Sequence, residues 1–343
     1  MLYYYALLYY NINLKQIKTM KKIHLISTLI GLLAFSTISK ADLKVVTSIK
    51  PIHSLASYIM DGVGSPGLIV DGYNSPHSFQ LKPSHAKMLE QADIIFWIGE
   101  DLENFLEKPL ATIAKKAEKI ELLEIKGIKK LKFRERNIFE EHEGHDDHGD
   151  DAKKEEHDDH GHDAKKEEHD DHDDHGHGEY DPHIWLDPIN AKVILNEITE
   201  HLIENDSKNA ATYKSNLAKA ISEIDKLIID VITETNTDLS YVVFHDAYQY
   251  YENRFNVNIL GAMTVNPDVM PGAEQIHEIH EVIEHDNVSC ILSEPQFNPD
   301  IIKSIAKDTS VKTGVLDPLG ANLKSGKDLY FDLIRNMSAS FNC

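Results

Sequence analysis

Three histidines far apart in the chain could share one ion: His77, after an expected second strand; His183, at the start of the passage between two expected lobes; and His245, at the end of a strand. Glu294 and Asp317 also end expected strands. In open α/β sheets ligands bind beyond the carboxyl ends of the strands, so polar residues there weigh more than the same residues elsewhere. Three imidazoles and a carboxylate converging on a cleft form a donor set that zinc takes tetrahedrally. Spacing alone does not decide this, because isolated histidines are often ordinary loop residues.

A denser set of ligand types lies between Glu140 and Asp181, where His142, His145, His148, His157, His160, His162, His169, His172, His175 and His177 alternate with acids. The unit Ala-Lys-Lys-Glu-Glu-His-Asp-Asp-His occurs twice, from Ala152 and from Ala164. No sizeable apolar side chain lies between Phe139 and Tyr180, so the tract cannot offset its ordering entropy and is expected to be disordered. Imidazoles flanked by carboxylates make it a weak, multivalent metal trap. An acidic spacer alone would not need ten histidines. Of the remaining histidines, His277, His280 and His285 share one expected helix without the His-Glu-x-x-His order of a zinc protease, and read as a solvated face. His53 and His85 read as surface or packing residues, and His201 has no visible partner.

The formal charge of −22 is concentrated in the tract, where twenty acids against four lysines leave −16. The rest is mildly acidic, with no basic stripe for a nucleic acid. Met20-Lys21-Lys22, an apolar run from Ile23 to Ile38 and the small residues before Ala41 have the layout of a secretory signal, with cleavage expected after Ala41. The run is short for a membrane span. Residues 1–19, with five tyrosines, fit neither targeting nor structure, so Met20 is the expected start and the upstream residues a misassigned extension. An exported chain with only Cys290 and Cys343 favours a disulfide over two free thiols. Its loop of about fifty residues would contribute about 3 to 4 kcal/mol.

These residues need a scaffold, and the alternation of short β-branched runs with amphipathic stretches supplies one. Strands are expected at 45–47, 67–70, 94–98 and 120–123, and again at 241–245, from 259, at 290–294 and at 311–316. Helices are expected between them, with a helix of close to thirty residues after Ser207, read as its cap, acting as a stiff spine. Continuous apolar strands alternating with helices argue for parallel sheets covered on both faces. The fold class is therefore α/β, with two βα lobes and the metal site in the cleft between them. The expected divisions are 20–41 (signal), 42–139 (first lobe), 140–181 (His-rich loop), 182–236 (inter-lobe helices) and 237–343 (second lobe).

Five stretches in this order, Asn74-Ser75-Pro76-His77-Ser78-Phe79-Gln80-Leu81-Lys82-Pro83-Ser84, His183-Ile184-Trp185-Leu186-Asp187-Pro188, Val243-Phe244-His245-Asp246-Ala247-Tyr248, Glu294-Pro295-Gln296-Phe297 and Leu316-Asp317-Pro318-Leu319-Gly320, resemble the ZnuA-type zinc-binding members of the metal-binding cluster of ABC-transporter solute receptors. The resemblance spans about Leu43 to Cys343. It implies four-stranded lobes joined by a long rigid helix, Zn²⁺ held by His77, His183 and His245, a mobile His-rich insertion, and a Cys290–Cys343 pair. Well-known members carry Glu immediately before the first histidine, where this chain has Pro76, which leaves the fourth position to water or Asp317.

The function expected is capture of Zn²⁺ in the periplasm by a non-enzymatic, monomeric receptor that delivers it to an inner-membrane ABC permease with its cytoplasmic ATPase. Three neutral imidazoles favour zinc over manganese, and manganese-binding relatives typically have Glu at the position of His245. The alternatives are a manganese or broad-specificity receptor of the same fold, a zinc hydrolase with Glu294 as base, and a metal store using the tract alone. Binding stoichiometry and turnover discriminate among them.

Overall fold

Val45–Ile49 (β1) and Ile94–Trp97 (β3) are buried along their whole length, as strands covered on both faces must be. With Gly67–Val70 (β2) and the more exposed Glu118–Glu121 (β4) they form a parallel sheet in the order β2-β1-β3-β4. Ser240–His245 (β5), Asn258–Thr264 (β6), Cys290–Ser293 (β7) and Lys312–Val315 (β8) form a second parallel sheet, β6-β5-β7-β8. This is the α/β class with two four-stranded lobes. The structure is a computed structural model that describes residues 42–134, 137–138, 178–264, 267, 271–309 and 311–343.

The first sheet carries Lys50–Ile59 (α1), opened by Pro51, with Pro83–Gln91 (α2) and Glu100–Thr112 (α3). Pro188–Asn205 (α4) follows the central passage; Asp187 caps it by accepting from the Ile189 amide at 2.9 Å, which satisfies one of the orphan donors of the first turn. Ala210–Glu234 (α5) is 25 residues long, roughly 38 Å at 1.5 Å per residue, and packs on α1, on α4 and on Leu329–Ser340 (α9). It therefore braces both lobes. It is shorter than expected, and Ser207 is not its cap: Ser207–Asn209 form a 3₁₀ turn, and the Asp206 carboxylate holds Asn209 and Tyr213 at 2.6 and 2.9 Å.

Around the second sheet lie Gln249–Phe255 (α6), Ala273–His285 (α7) and Asp300–Thr309 (α8). α6 starts three residues later than the periodicity suggests, because the Asp246 amide donates to Thr264 and its carboxylate faces Arg134 at 3.0 Å. One apolar cluster runs from β1 and β3 through Trp185, α4 and α5 into Tyr241, Tyr330 and Phe341, so the two sheets share a core; a smaller one lies under α7 and α8.

Cys290 in β7 and Cys343 form a disulfide across 53 residues of sequence. It fixes the chain end where Phe341 packs against Tyr241 and Tyr251, with ring centroids at 5.0 and 5.3 Å. We expect Cys343→Ser to cost about 4 kcal/mol on the loop-entropy estimate, read from chemical denaturation of the metal-free protein. No change in the denaturation midpoint would show that packing alone holds α9.

Candidate metal centre

His77 ends the loop that follows β2, and its amide donates to the Ser75 hydroxyl at 3.2 Å. His183 stands immediately before the 3₁₀ turn Ile184–Leu186, and His245 is the last residue of β5. The three rings face one another with centroids 5.2 to 5.7 Å apart, and one ligand nitrogen from each lies within 4.8 Å of the others. The Nε2 atoms of His183 and His245 are 3.4 Å apart. Tetrahedral zinc with bonds of about 2.0 to 2.1 Å sets its nitrogens about 3.3 to 3.4 Å apart.

A buried carboxylate stands behind each of two rings. Asp181 accepts from both the amide and Nδ1 of His183, at 2.9 and 2.7 Å, and Glu294 faces His245 Nδ1 at 2.5 Å. Such partners fix the tautomer, so that Nδ1 carries the hydrogen and Nε2 presents its lone pair to an ion. Asp181 is itself held: its carbonyl accepts from the Tyr250 hydroxyl at 2.8 Å and its amide donates to Leu131 at 2.8 Å. Burial pushes its carboxyl up to about 7, against the pull of the His183 amide, His245 and Arg134.

The two rings titrate in opposite directions. Burial, then the neighbouring His245, holds His183 well below the ordinary imidazole range. Burial also opposes charge on His245, but Glu294, with Asp246 and Asp181, outweighs it and raises the value. Of these two rings, His245 is the one whose surroundings favour a proton. A small cavity between the rings is walled by Pro76, Trp185, Phe297, Pro318 and Leu319, and a wider cleft of about 870 Å³ between the 73–82 segment and Gln296–Phe297 opens beside it.

Asp317 is not brought into the histidine group. Its Oδ1 accepts from the amides of Leu319 and Gly320, both at 3.0 Å, and from Gln296 Nε2 at 2.9 Å, and its Oδ2 accepts from the Ala321 amide at 2.6 Å. The carboxylate closes a turn in which Gly320 has φ +68°, a conformation that favours glycine. The turn supplies Pro318 and Leu319 to the cavity wall. Pro318 also accepts from the indole of Trp185 at 2.9 Å.

The ten histidines from His142 to His177 lie outside the described residues. The chain before them is anchored on the second lobe: Ile138 makes an antiparallel bridge to Gly261, where a Cβ would come within 2.7 Å of the Asn137 carbonyl, and Arg134 pairs with Asp246 and Glu252. The chain after them is anchored by a bridge from Tyr180 to Lys132. His201 does have partners, Glu118 at 2.8 Å and Glu197 at 3.2 Å, one on each ring nitrogen. Its ring lies with the carboxylates of Glu118 and Glu204 in a group whose ligand atoms are within 4.8 Å of one another. The i,i+4 spacing of Glu197 and His201 was the available sequence signal. His277 is largely exposed beside Glu281, as a solvated face requires.

Residues 45–342 match the sequence profile of the family described as zinc-uptake complex component A, periplasmic. The chain belongs to the ZnuA family. The high-affinity zinc uptake system protein ZnuA of Brucella abortus is 46% identical over 304 residues, covering 86% of this chain and 90% of that protein. Among solved structures, a crystal structure of ZnuA superposes with TM-score 0.66 at 20% identity, covering 88% of this chain and 100% of that one. A manganese-bound periplasmic metal-binding protein from Candidatus Liberibacter asiaticus gives TM-score 0.64 at 19% identity, covering 87% and 97%. ZnuA family members are solute-binding receptors of zinc uptake, not enzymes, and Glu294, engaged with His245, is placed to orient a ring rather than to activate water.

Glu294→Gln should weaken zinc binding about 10 to 100-fold at neutral pH, the usual cost of losing the outer partner of a ligand. Affinity should also begin to fall only at lower pH than in the wild type, because the charge that favours the proton on His245 is gone. Chelator competition between pH 5.5 and 8 checks both, and a wild-type pH profile in the variant would refute the assignment of that proton.

Proposed function

We propose that the protein captures Zn²⁺ in the periplasm through His77, His183 and His245 and delivers it to an inner-membrane ABC permease driven by a cytoplasmic ATPase. The observation that carries this reading is the pair of Nε2 atoms 3.4 Å apart with His77 opposite, the nitrogen spacing of a tetrahedral zinc site. The fourth position belongs to a water oxygen, since the Asp317 oxygens are occupied by three amides and Gln296. Zinc over manganese follows from the donors: three imidazoles suit a borderline ion, whereas manganese favours more carboxylate oxygen. The receptor acts as a monomer after cleavage behind Ala41. The histidine tract serves as an auxiliary, weaker store that raises the supply of zinc near the tight site. Among the described residues no helix is long and apolar enough to cross a membrane.

His77→Ala, His183→Ala and His245→Ala should each abolish tight zinc binding while the tract's weaker sites remain, as read by competition with a chelator. Tight binding that survives in any one of them would remove that residue from the ligand set. Asp317→Ala should weaken zinc by no more than about 10 to 100-fold. Loss on the scale of a histidine variant would make Asp317 a direct ligand. Direct competition should place zinc ahead of manganese, and parity between the two would favour a broad-specificity receptor.

A further inference from the structure

Lys50, the first residue of α1, is 3% exposed, yet it carries an ammonium. Its Nζ donates to the carbonyls of Ala321 and Leu323 at 3.1 and 2.7 Å and lies 3.9 Å from Asp71 Oδ1. Asp71 begins the loop that ends at His77 and organises it, accepting from the Gly72 amide at 2.8 Å and, through its carbonyl, from Asn74 at 2.5 Å. Ala321 belongs to the turn that Asp317 closes, giving its amide to Asp317 and its carbonyl to Lys50. One ammonium thus touches the histidine-bearing loop of the first lobe and the cavity-wall turn of the second. The hydroxyl of Tyr73 bonds to Asn322 alongside it, and Ser325 Oγ reaches Asp71 at 3.4 Å.

From these contacts we infer that Lys50 is a positioning residue for metal retention, a staple that holds the His77 loop and the Asp317 turn together across the cleft. The inference rests on the ligand set proposed above. A buried ammonium is a poor way to stabilise a fold, because its desolvation offsets much of what its partners return, and an apolar side chain of similar size often does as well. What it supplies is direction. Two carbonyls of the second lobe and a carboxylate of the first converge on one point, so the lobes cannot separate there without taking both carbonyls from the buried charge. Pro318 and Leu319, which wall the cavity, move with the turn, so opening this staple exposes the ion to solvent.

The test loads the full-length chain with zinc and follows release from the tight site into a chromogenic chelator by stopped flow, with association measured separately. Lys50→Met keeps an unbranched side chain one atom shorter and removes the ammonium. It should release zinc about tenfold faster, at the lower end of what outer partners of a ligand typically cost, with association unchanged. Tyr73→Phe cuts the exposed bond to Asn322 and should accelerate release in the same direction by a smaller factor; it decides the matter if Lys50→Met does not fold. A wild-type release rate, accompanied only by a lower melting temperature, would make Lys50 a purely structural residue and overturn the inference. His77→Ala in the same assay separates the two readings. If it loses tight binding while the staple variants release zinc at the wild-type rate, the ligand set stands and the staple falls; if it keeps tight binding, both fall.

Discussion

An imidazole presents a fixed lone pair to a common point when its other nitrogen has an acceptor of its own, and for two of the three rings here that acceptor is a carboxylate taken out of water. Asp181 behind His183 and Glu294 behind His245 are both almost wholly buried, and much of the architecture can be read as accommodation of these two groups. Glu294 stands directly beyond β7, beside the strand that ends in His245. Asp181 is pinned by Tyr250 and Leu131. The acids Asp246 and Glu252 nearby share Arg134, whose guanidinium offsets charges that burial alone would hold protonated. Without Asp181 and Glu294 the two rings lose their fixed tautomer; without Arg134, Asp246 and Glu252 lose their cationic partner.

The shared core sets what the two lobes can do. The apolar cluster is continuous through Trp185 and α5, and α5 packs on helices of both lobes, so wide hinge opening would break packing throughout the centre of the molecule. Motion of the loops that bear ligands and cavity walls is far cheaper. The wall turn at Asp317 and the His77 loop are held by polar contacts, so local opening there disrupts less packing than a hinge motion would.

The fold was legible because its signals are local. Apolar runs such as Ile94–Trp97 and Tyr241–Phe244 announce buried strands, and Pro51, Pro83 and Pro188 announce helix starts. The three histidines were legible through their place in the chain relative to those strands. The rest depended on distance and surroundings. Asp181 looked like the last of twenty acids in the tract, and only burial distinguishes it. Glu294 was visible at a strand end, yet its pairing with His245 spans 49 residues. Lys50 carries no local signal of burial, and nothing near it in the chain links it to residues 321 and 323. Asp317 illustrates the converse: a strand-end position marks a residue as near a site, but whether a carboxylate faces the ion or its own turn depends on how the following amides fold back. The start of α5 was misjudged for a similar reason, since Asp206 gathers the polar groups that Ser207 was expected to serve.

Trp185 is one of only two tryptophans in the chain, and its ring centre lies 5.3 Å from that of His183 while its indole N–H is bonded to Pro318. The other, Trp97, sits in the core strand β3 of the first lobe. The molecule thus carries an intrinsic optical probe between the His183 ring and a wall of the cavity, with the second tryptophan in a core strand. If the proposed ligand set holds, near-ultraviolet emission from the unlabelled protein should respond to zinc, with no dye to compete for the ion.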